Sequence, residues 1–337
     1  MPRTLLPAGG IEPMTDVTHM TCMEVWGGNA LVDNFVTMAG LDAWVFAKPF
    51  ANSDVGGDVY YVSSCATGRI TRMLLADVSG HGSKVAETAS SLRGLMRKYV
   101  NFIDQTRFVQ SMNRQFTQLS TNGTFATAVV ATFFSPTCHM TLCNAGHPPP
   151  LVYRCKSGEW SLMQGDCIES DDVADIPLGI MDLANYRSHE THLETGDLVL
   201  CYTDSLTESK DETGEWIGSA GLLELAKSIV VTEPAQLVPE LLRRIRELRP
   251  GNLQDDDVTV MMFRLNGSGK DFPLLLRLLA PFRIMQSLFR THVFARPDFK
   301  LANIGGALIP ALNRYWGTRG GNRRPRSATH MKSDVRK

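Results

Sequence analysis

The sequence predicts an α+β fold: two packed sheets covered by helices. Three observations carry this. Short runs rich in β-branched and aromatic residues outnumber helical runs. Most of those runs are bounded by Gly, Asn, Asp or Pro, as strands joined by turns are. The helical patterns come in pairs instead of following each strand, which a doubly wound parallel sheet would require.

Residues 1–40 are rich in Gly, Met and polar residues and show weak periodicity. From Ala43 the pattern sharpens into three predicted strands, AWVFAKPF, DVYYVSS and ITRMLLADV, read as antiparallel neighbours. After Gly80–Gly82, apolar residues recur at helical spacing from Val85 to Tyr99. A second helix is predicted over 104–120, with Phe108, Met112 and Phe116 on its inner face. FATAVVATFF and HMTLCNAG form a strand pair joined by Ser135-Pro136-Thr137, and PLVYR continues as a strand. Residues 156–186 are irregular and acidic and read as a long loop or flap. HETHLET and DLVLCYTD are strands around Thr195-Gly196-Asp197. Helices over 219–229 and 235–248 and the apolar strand DVTVMMFRL close the body.

The 337 residues suffice for one large domain with an extension. Charge divides them unevenly. Residues 1–267 carry 20 Lys or Arg and 32 Asp or Glu, a net −12; residues 268–337 carry 14 and 3, a net +11. The expected organisation is an N-terminal segment over 1–42, a main domain over 43–267 and a basic extension over 268–337. In the extension, Leu274, Leu275, Leu278, Leu279, Phe282 and Met285 interleave with Arg277, Arg283 and Arg290, an amphipathic helix pattern interrupted at Pro281. That pattern suits packing on the acidic body, a partner groove or an anionic membrane surface. The Gly- and Arg-rich last twenty residues read as disordered.

Seven cysteines, an odd number with no C-x-x-C pair, suggest neither a disulfide framework nor a structural zinc site. That cysteine usage reads as a reducing, cytoplasmic compartment; the N-terminus offers no apolar run of signal-peptide type, and no stretch reaches the roughly 18–20 apolar residues a membrane span needs.

Four aspartates sit at strand ends. Asp58 follows Gly56-Gly57, Asp77 ends MLLA before Val78-Ser79-Gly80, Asp204 ends LVLCYT, and Asp256 lies in Asp255-Asp256-Asp257 before VTVMMF. A carboxylate at a buried strand end needs compensation. Divalent cations with oxygen ligands provide it, Mn²⁺ or Mg²⁺ being the natural choice, and the scarcity of nearby histidine disfavours zinc. The glycines would leave room for waters and for backbone approach to a ligand.

GGDVYYV, LLADVSGHG, FATAVVATFF with NAGHPPPLVYR, LETGDLVLCYTDSLTE and DDDVTVMMF occur in series. Together they resemble the PPM-type (protein phosphatase 2C-like) phosphatases, in the bacterial branch typified by sporulation stage II protein E and the sigma-regulation phosphatases. The resemblance covers roughly residues 43–266. It implies a four-layer α-β-β-α sandwich with two Mn²⁺ or Mg²⁺ ions between the sheets. Asp77 would bridge the ions and the Val78 carbonyl would add a ligand. Asp58 would serve the second ion, directly or through water, and Asp204 and Asp256 the first. Asp257 is the close alternative to Asp256. Such a pair of ions, about 3.5–4 Å apart, acidifies a shared water for in-line attack on a phosphomonoester, with no covalent intermediate.

The resemblance further implies a phosphoserine or phosphothreonine substrate on a regulatory protein such as an anti-anti-sigma factor, and no nucleic-acid partner. The alternative is a pseudo-phosphatase acting as a phosphoprotein-binding scaffold. Ser205 stands where the family usually has Gly, which would be costly if the position required φ > 0. His81, in the glycine turn, is either a general acid or a turn former, and the turn former is preferred. His147, before Pro148–Pro150, is read as structural, and Glu208 as solvated.

Overall fold

The computed structural model describes residues 18–19, 25–64, 68–80, 83–100, 102–120, 123–163 and 174–268. The predicted helix and terminal segment of the extension, His81, Cys22, Cys65 and Cys167 lie outside the described residues. Among the described residues, thirteen strands form two sheets. In chain order they are β1 (Thr18–His19), β2 (Val25–Gly28), β3 (Val32–Thr37), β4 (Leu41–Lys48), β5 (Val59–Ser64), β6 (Ile70–Val78), β7 (Ala126–Phe134), β8 (His139–Ala145), β9 (Leu151–Arg154), β10 (Glu159–Leu162), β11 (His189–His192), β12 (Leu198–Tyr202) and β13 (Val258–Leu265). The first sheet runs β1-β3-β4-β13-β12-β9-β10 and the second β11-β8-β7-β6-β5-β2. Every pairing is antiparallel except the short β1–β3 contact.

Side-chain alternation builds the layers. On β6, Met73 and Leu75 face inward, while Leu74, Ala76 and Val78 face outward. On β13, Met261, Phe263 and Leu265 face inward, and Val258, Val260 and Met262 outward. The inward sets of both sheets fuse into one apolar core. The outer face of the second sheet is covered by α1 (Ser83–Tyr99) and α2 (Gln105–Leu119), through Ala89, Leu92, Met96, Phe108, Met112 and Phe116. Asp104 caps α2 by accepting from Arg107 N at 3.0 Å, a contribution of about 1 kcal/mol. The outer face of the first sheet is covered by α4 (Gly218–Lys227) and α5 (Pro234–Leu248), through Leu222, Leu237, Leu241 and Ile245. A single turn, α3 (Asp204–Thr207), follows β12. The four-layer α-β-β-α sandwich is therefore present.

Several expectations need correction. Paired strands begin ahead of residue 43: β2 and β3 join different sheets, and the expected 42/43 boundary falls inside β4. Of the three strands read as neighbours, β5 and β6 pair, but β4 belongs to the other sheet. The turn at Gly196 likewise crosses between sheets, since β11 pairs with β8 and β12 with β13. The segment 156–186 is not one free flap. It contains β10, and its later part is fastened down: Leu178 exchanges backbone hydrogen bonds with Ala126, and Asn113 Nδ2 donates to Met181 O at 2.7 Å. Among the described residues no helix is long and apolar enough to cross a membrane.

Candidate metal centre

At one end of the sandwich the inner layer changes from apolar to acidic. The alternation that sends Met73 and Leu75 into the core sends Asp77 to the same side one step later. On β5 the inward set is Tyr60 and Val62, which places Asp58 inward just before the strand. Val199 and Cys201 on β12 set the parity for Thr203, and Met261 on β13 sets it for Thr259. The β5–β6 register pairs Val59 with Ala76, so Asp58 and Asp77 lie across from one another. Tyr202 pairs with Val260, which brings Asp204 and the Asp256–Asp257 pair to the same end of the other sheet.

Electrostatics ties these groups together. Burial, then the charge of Asp77, pushes the Asp58 carboxyl well above its ordinary value; Asp257 adds to the rise, and the Thr259 and Thr203 hydroxyls oppose it. Burial, followed by Asp204, Asp256, Asp257 and Glu208, raises Asp77 to about 7. Burial, then Glu208 and Asp256, raises Asp204 to about 6. Asp256 is raised too, by burial first. None of the ion pairs among the described residues reaches Asp58, Asp77, Asp204 or Asp256. Glu208 is exposed, but its charge acts on two of the four.

A concentration of carboxylates without countercharge fits a hard divalent cation in charge and donor type. The fit is not complete from side chains alone. Among the described residues no three His, Cys, Asp or Glu side chains converge closely enough to hold one ion. Carbonyl oxygens and waters would have to supply the remaining ligands, as Mg²⁺ sites commonly allow. Val78, whose carbonyl the family resemblance implies as a ligand, is buried at the end of β6, and a Cβ on Gly57 would stand 3.0 Å from that oxygen.

The two adjacent acids before β13 behave differently. Asp257 is buried and both its oxygens are engaged: Oδ1 accepts from Phe50 N at 2.6 Å, and Oδ2 from Gly57 N at 2.5 Å and Asp58 N at 3.1 Å. Asp256 is exposed and accepts only from Asp257 N, at 2.7 Å. Asp257 thus clamps the loop that carries Asp58, while Asp256 keeps a carboxylate face open. Gly56 has a different use from the one expected. A Cβ on Gly56 would meet the Asp257 carboxylate at 2.4 Å, so the space belongs to the clamp and not to water.

Thr203 was not singled out by sequence. Its Oγ1 donates to Asp58 Oδ2 at 2.9 Å and accepts from Thr259 N at 3.0 Å, joining the two sheets through one hydroxyl. The Thr259 hydroxyl is buried beside Asp58 and, with Thr203, favours its charged form. The readable signal was parity: Thr203 is the first polar residue in the inward series Val199, Cys201, Thr203. His147 is structural, as read. Asn144 bonds both its backbone N and O, and Nδ1 lies 2.8 Å from Thr127 Oγ1. Burial lowers its pKa to about 4, which keeps the ring neutral. Ser205 is helical with no positive φ, so its Cβ carries no backbone penalty.

The SpoIIE family model (Stage II sporulation protein E) matches residues 67–266, more than half of the chain. The chain belongs to the SpoIIE family. A curated relative, the phosphoserine phosphatase RsbU of Bacillus subtilis (strain 168), is 23% identical over 191 residues, covering 56% of this chain. The SpoIIE-family chain spans only about half of that relative, 54% of its length. Among solved structures, the RsbU and RsbW domains of Rv1364c from Mycobacterium tuberculosis match with a TM-score of 0.55 and 22% identity. That match covers 77% of this chain and 71% of that one. RsbX in complex with magnesium matches with a TM-score of 0.50 and 18% identity, over 69% of this chain and 100% of that one. At these identities the structural likeness speaks to the fold, which agrees with the layers described above.

The raised carboxyls give the metal-free protein a pH signature. Asp77 and Asp204 bind their protons more tightly folded than unfolded. Their contribution to stability is therefore fully present below the ordinary aspartate pKa of 3.8 and is lost as pH rises through about 6 to 7. His147 works in the opposite sense, since its folded pKa is depressed. Subtracting an Asp77→Asn variant isolates the acid term. Thermal melts in chelator between pH 4 and 7.5 should show wild type losing stability relative to the variant as pH rises. Parallel curves would contradict the clustering.

Proposed function

We propose that this chain is a metal-dependent phosphatase acting on phosphoserine or phosphothreonine in a regulatory protein, such as an anti-anti-sigma factor. The observation that carries the reading is the group of four uncompensated aspartates on facing strand ends, in a chain of the SpoIIE family. Asp58, Asp77, Asp204 and Asp256, with the Val78 carbonyl, would hold two Mn²⁺ or Mg²⁺ ions. When bound, such ions supply an acidified water and neutralise charge on the phosphoryl oxygens. The other residues position. Asp257 fixes the Asp58 loop through three backbone N–H groups, and Thr203 orients the Asp58 carboxylate from the opposite sheet. The relative solved with magnesium supports the metal class. The scaffold alternative has less behind it, because all four aspartates are present. The basic extension is proposed to contact a partner protein or a peripheral membrane surface, and the chain to act in the cytoplasm.

The test is hydrolysis of p-nitrophenyl phosphate and of a phosphoserine peptide by the full chain. Activity with Mn²⁺ that disappears in chelator and returns on adding metal is the expected result. No turnover of either compound with Mn²⁺ or Mg²⁺ would move the reading to a binding scaffold.

A further inference from the structure

Beside the acidic end, two loops present apolar side chains to solvent. Leu31, between β2 and β3, is 72% exposed; Phe50 and Val55, between β4 and β5, are 43% and 40% exposed. These loops are joined to each other and to the centre. Gly56 N donates to Asn29 O at 2.7 Å, and Asn29 Nδ2 returns a bond to Gly56 O at 3.1 Å. Phe50 N is held by Asp257, the same carboxylate that holds Gly57 and Asp58. Ser53 N closes the turn on Phe50 O at 3.0 Å, and Ala51 within it takes a left-handed φ of 52°. A left-handed alanine costs on the order of 1–2 kcal/mol and persists only where its surroundings fix it. The backbone is thus constrained in a form that leaves Phe50 out of the core. Residues 29–31 and 49–57 contain no Lys or Arg, and Asp54 is their one charged residue. Whatever these loops read, they do not read it by cationic side chains.

We propose that Leu31, Phe50 and Val55 form an apolar lip that selects protein substrates carrying bulky apolar residues next to the phosphorylated side chain. The inference rests on the phosphatase reading and deepens it. The loops that carry the lip are bonded to each other and to the backbone of Asp58, and that connection is what would set these three side chains beside a phosphate bound at the centre. Burying one such side chain in a peptide contact discriminates by roughly ten- to two-hundredfold per well-placed group.

The test uses two fluorescent peptides of equal length and charge, each with a non-hydrolysable phosphonate in place of phosphoserine. One has Leu and Phe flanking the phosphonate and the other has Ala. Anisotropy with the Mn²⁺-loaded full chain should give at least about tenfold tighter binding for the Leu/Phe peptide. The double variant Leu31→Ser, Val55→Ser should bring the two affinities together. Val230→Ser, at the distant α4–α5 turn where Val230 is 81% exposed, should leave the preference intact. Equal affinities in wild type, a preference that survives the double variant, or one that Val230→Ser also erases would each overturn the proposal. Turnover of p-nitrophenyl phosphate by the same wild-type preparation reports the phosphatase reading separately. Selective peptide binding without turnover would keep the lip and remove the enzyme.

Discussion

Asp77→Ala should lower Mn²⁺-dependent phosphatase turnover at least about a thousandfold, an activation-energy cost of roughly 4 kcal/mol. Asp77 is the residue on which the centre's charge converges. It lies one residue from the end of β6, faces the interior, and feels Asp204, Asp256, Asp257 and Glu208 as well as burial. Any cation that relieves this group must sit where it relieves Asp77. The same repulsion separates a catalytic loss from an unfolding loss. Removing the Asp77 carboxylate takes one negative charge out of a crowded acidic site, so the metal-free variant should melt at or above the wild-type temperature at pH 7.5. Turnover lost with stability kept or gained is the expected pair. A variant that melts lower and loses activity only in proportion would demote Asp77 to a structural residue. One that retains more than a tenth of wild-type turnover would remove it from the centre.

The strong patterns of the sequence became the strong elements of the fold. ITRMLLADV and DVTVMMFRL are central strands, and their terminal aspartates were readable because a charge ending an apolar run is conspicuous. Two kinds of information were not readable. The first is which sheet a strand joins. AWVFAKPF and DVYYVSS have the same character, and only long-range pairing sends β4 to β13 and β5 to β6. The strands β2 and β3 escaped for a related reason: VWGG contains two glycines and VDNFVT alternates weakly, so their pairing comes from neighbouring strands more than from local preference. The second is what a small residue makes room for. A glycine pair beside an aspartate suggests space for water or ligand, whereas Gly56 gives its space to the carboxylate of a residue 201 positions later. No local spacing encodes that contact.

The Asp256–Asp257 pair shows how far a one-residue difference can carry. Spacing cannot separate adjacent acids, but their surroundings can: both precede β13 in irregular backbone, and only Asp257 is buried. Asp257 spends its carboxylate on Phe50, Gly57 and Asp58. Asp256 remains exposed with a largely free carboxylate. The two amide variants should therefore diverge. Asp257→Asn replaces one accepting oxygen with an NH₂ that faces a backbone N–H, leaving at least one buried donor unpaired at about 1–3 kcal/mol. The metal-free protein should melt several degrees lower, and activity should fall because the Asp58 loop loosens. Asp256→Asn leaves the clamp intact and removes a repulsive charge, so the metal-free melt should hold or rise while Mn²⁺ binds more weakly. Calorimetric Mn²⁺ titration and thermal melts of both variants in chelator read the two effects independently. If Asp257→Asn weakened Mn²⁺ binding without lowering the melt, and Asp256→Asn did neither, the roles would have to be exchanged. The expected divergence follows from geometry alone: a carboxylate already holding three N–H groups has few lone pairs left to offer a metal.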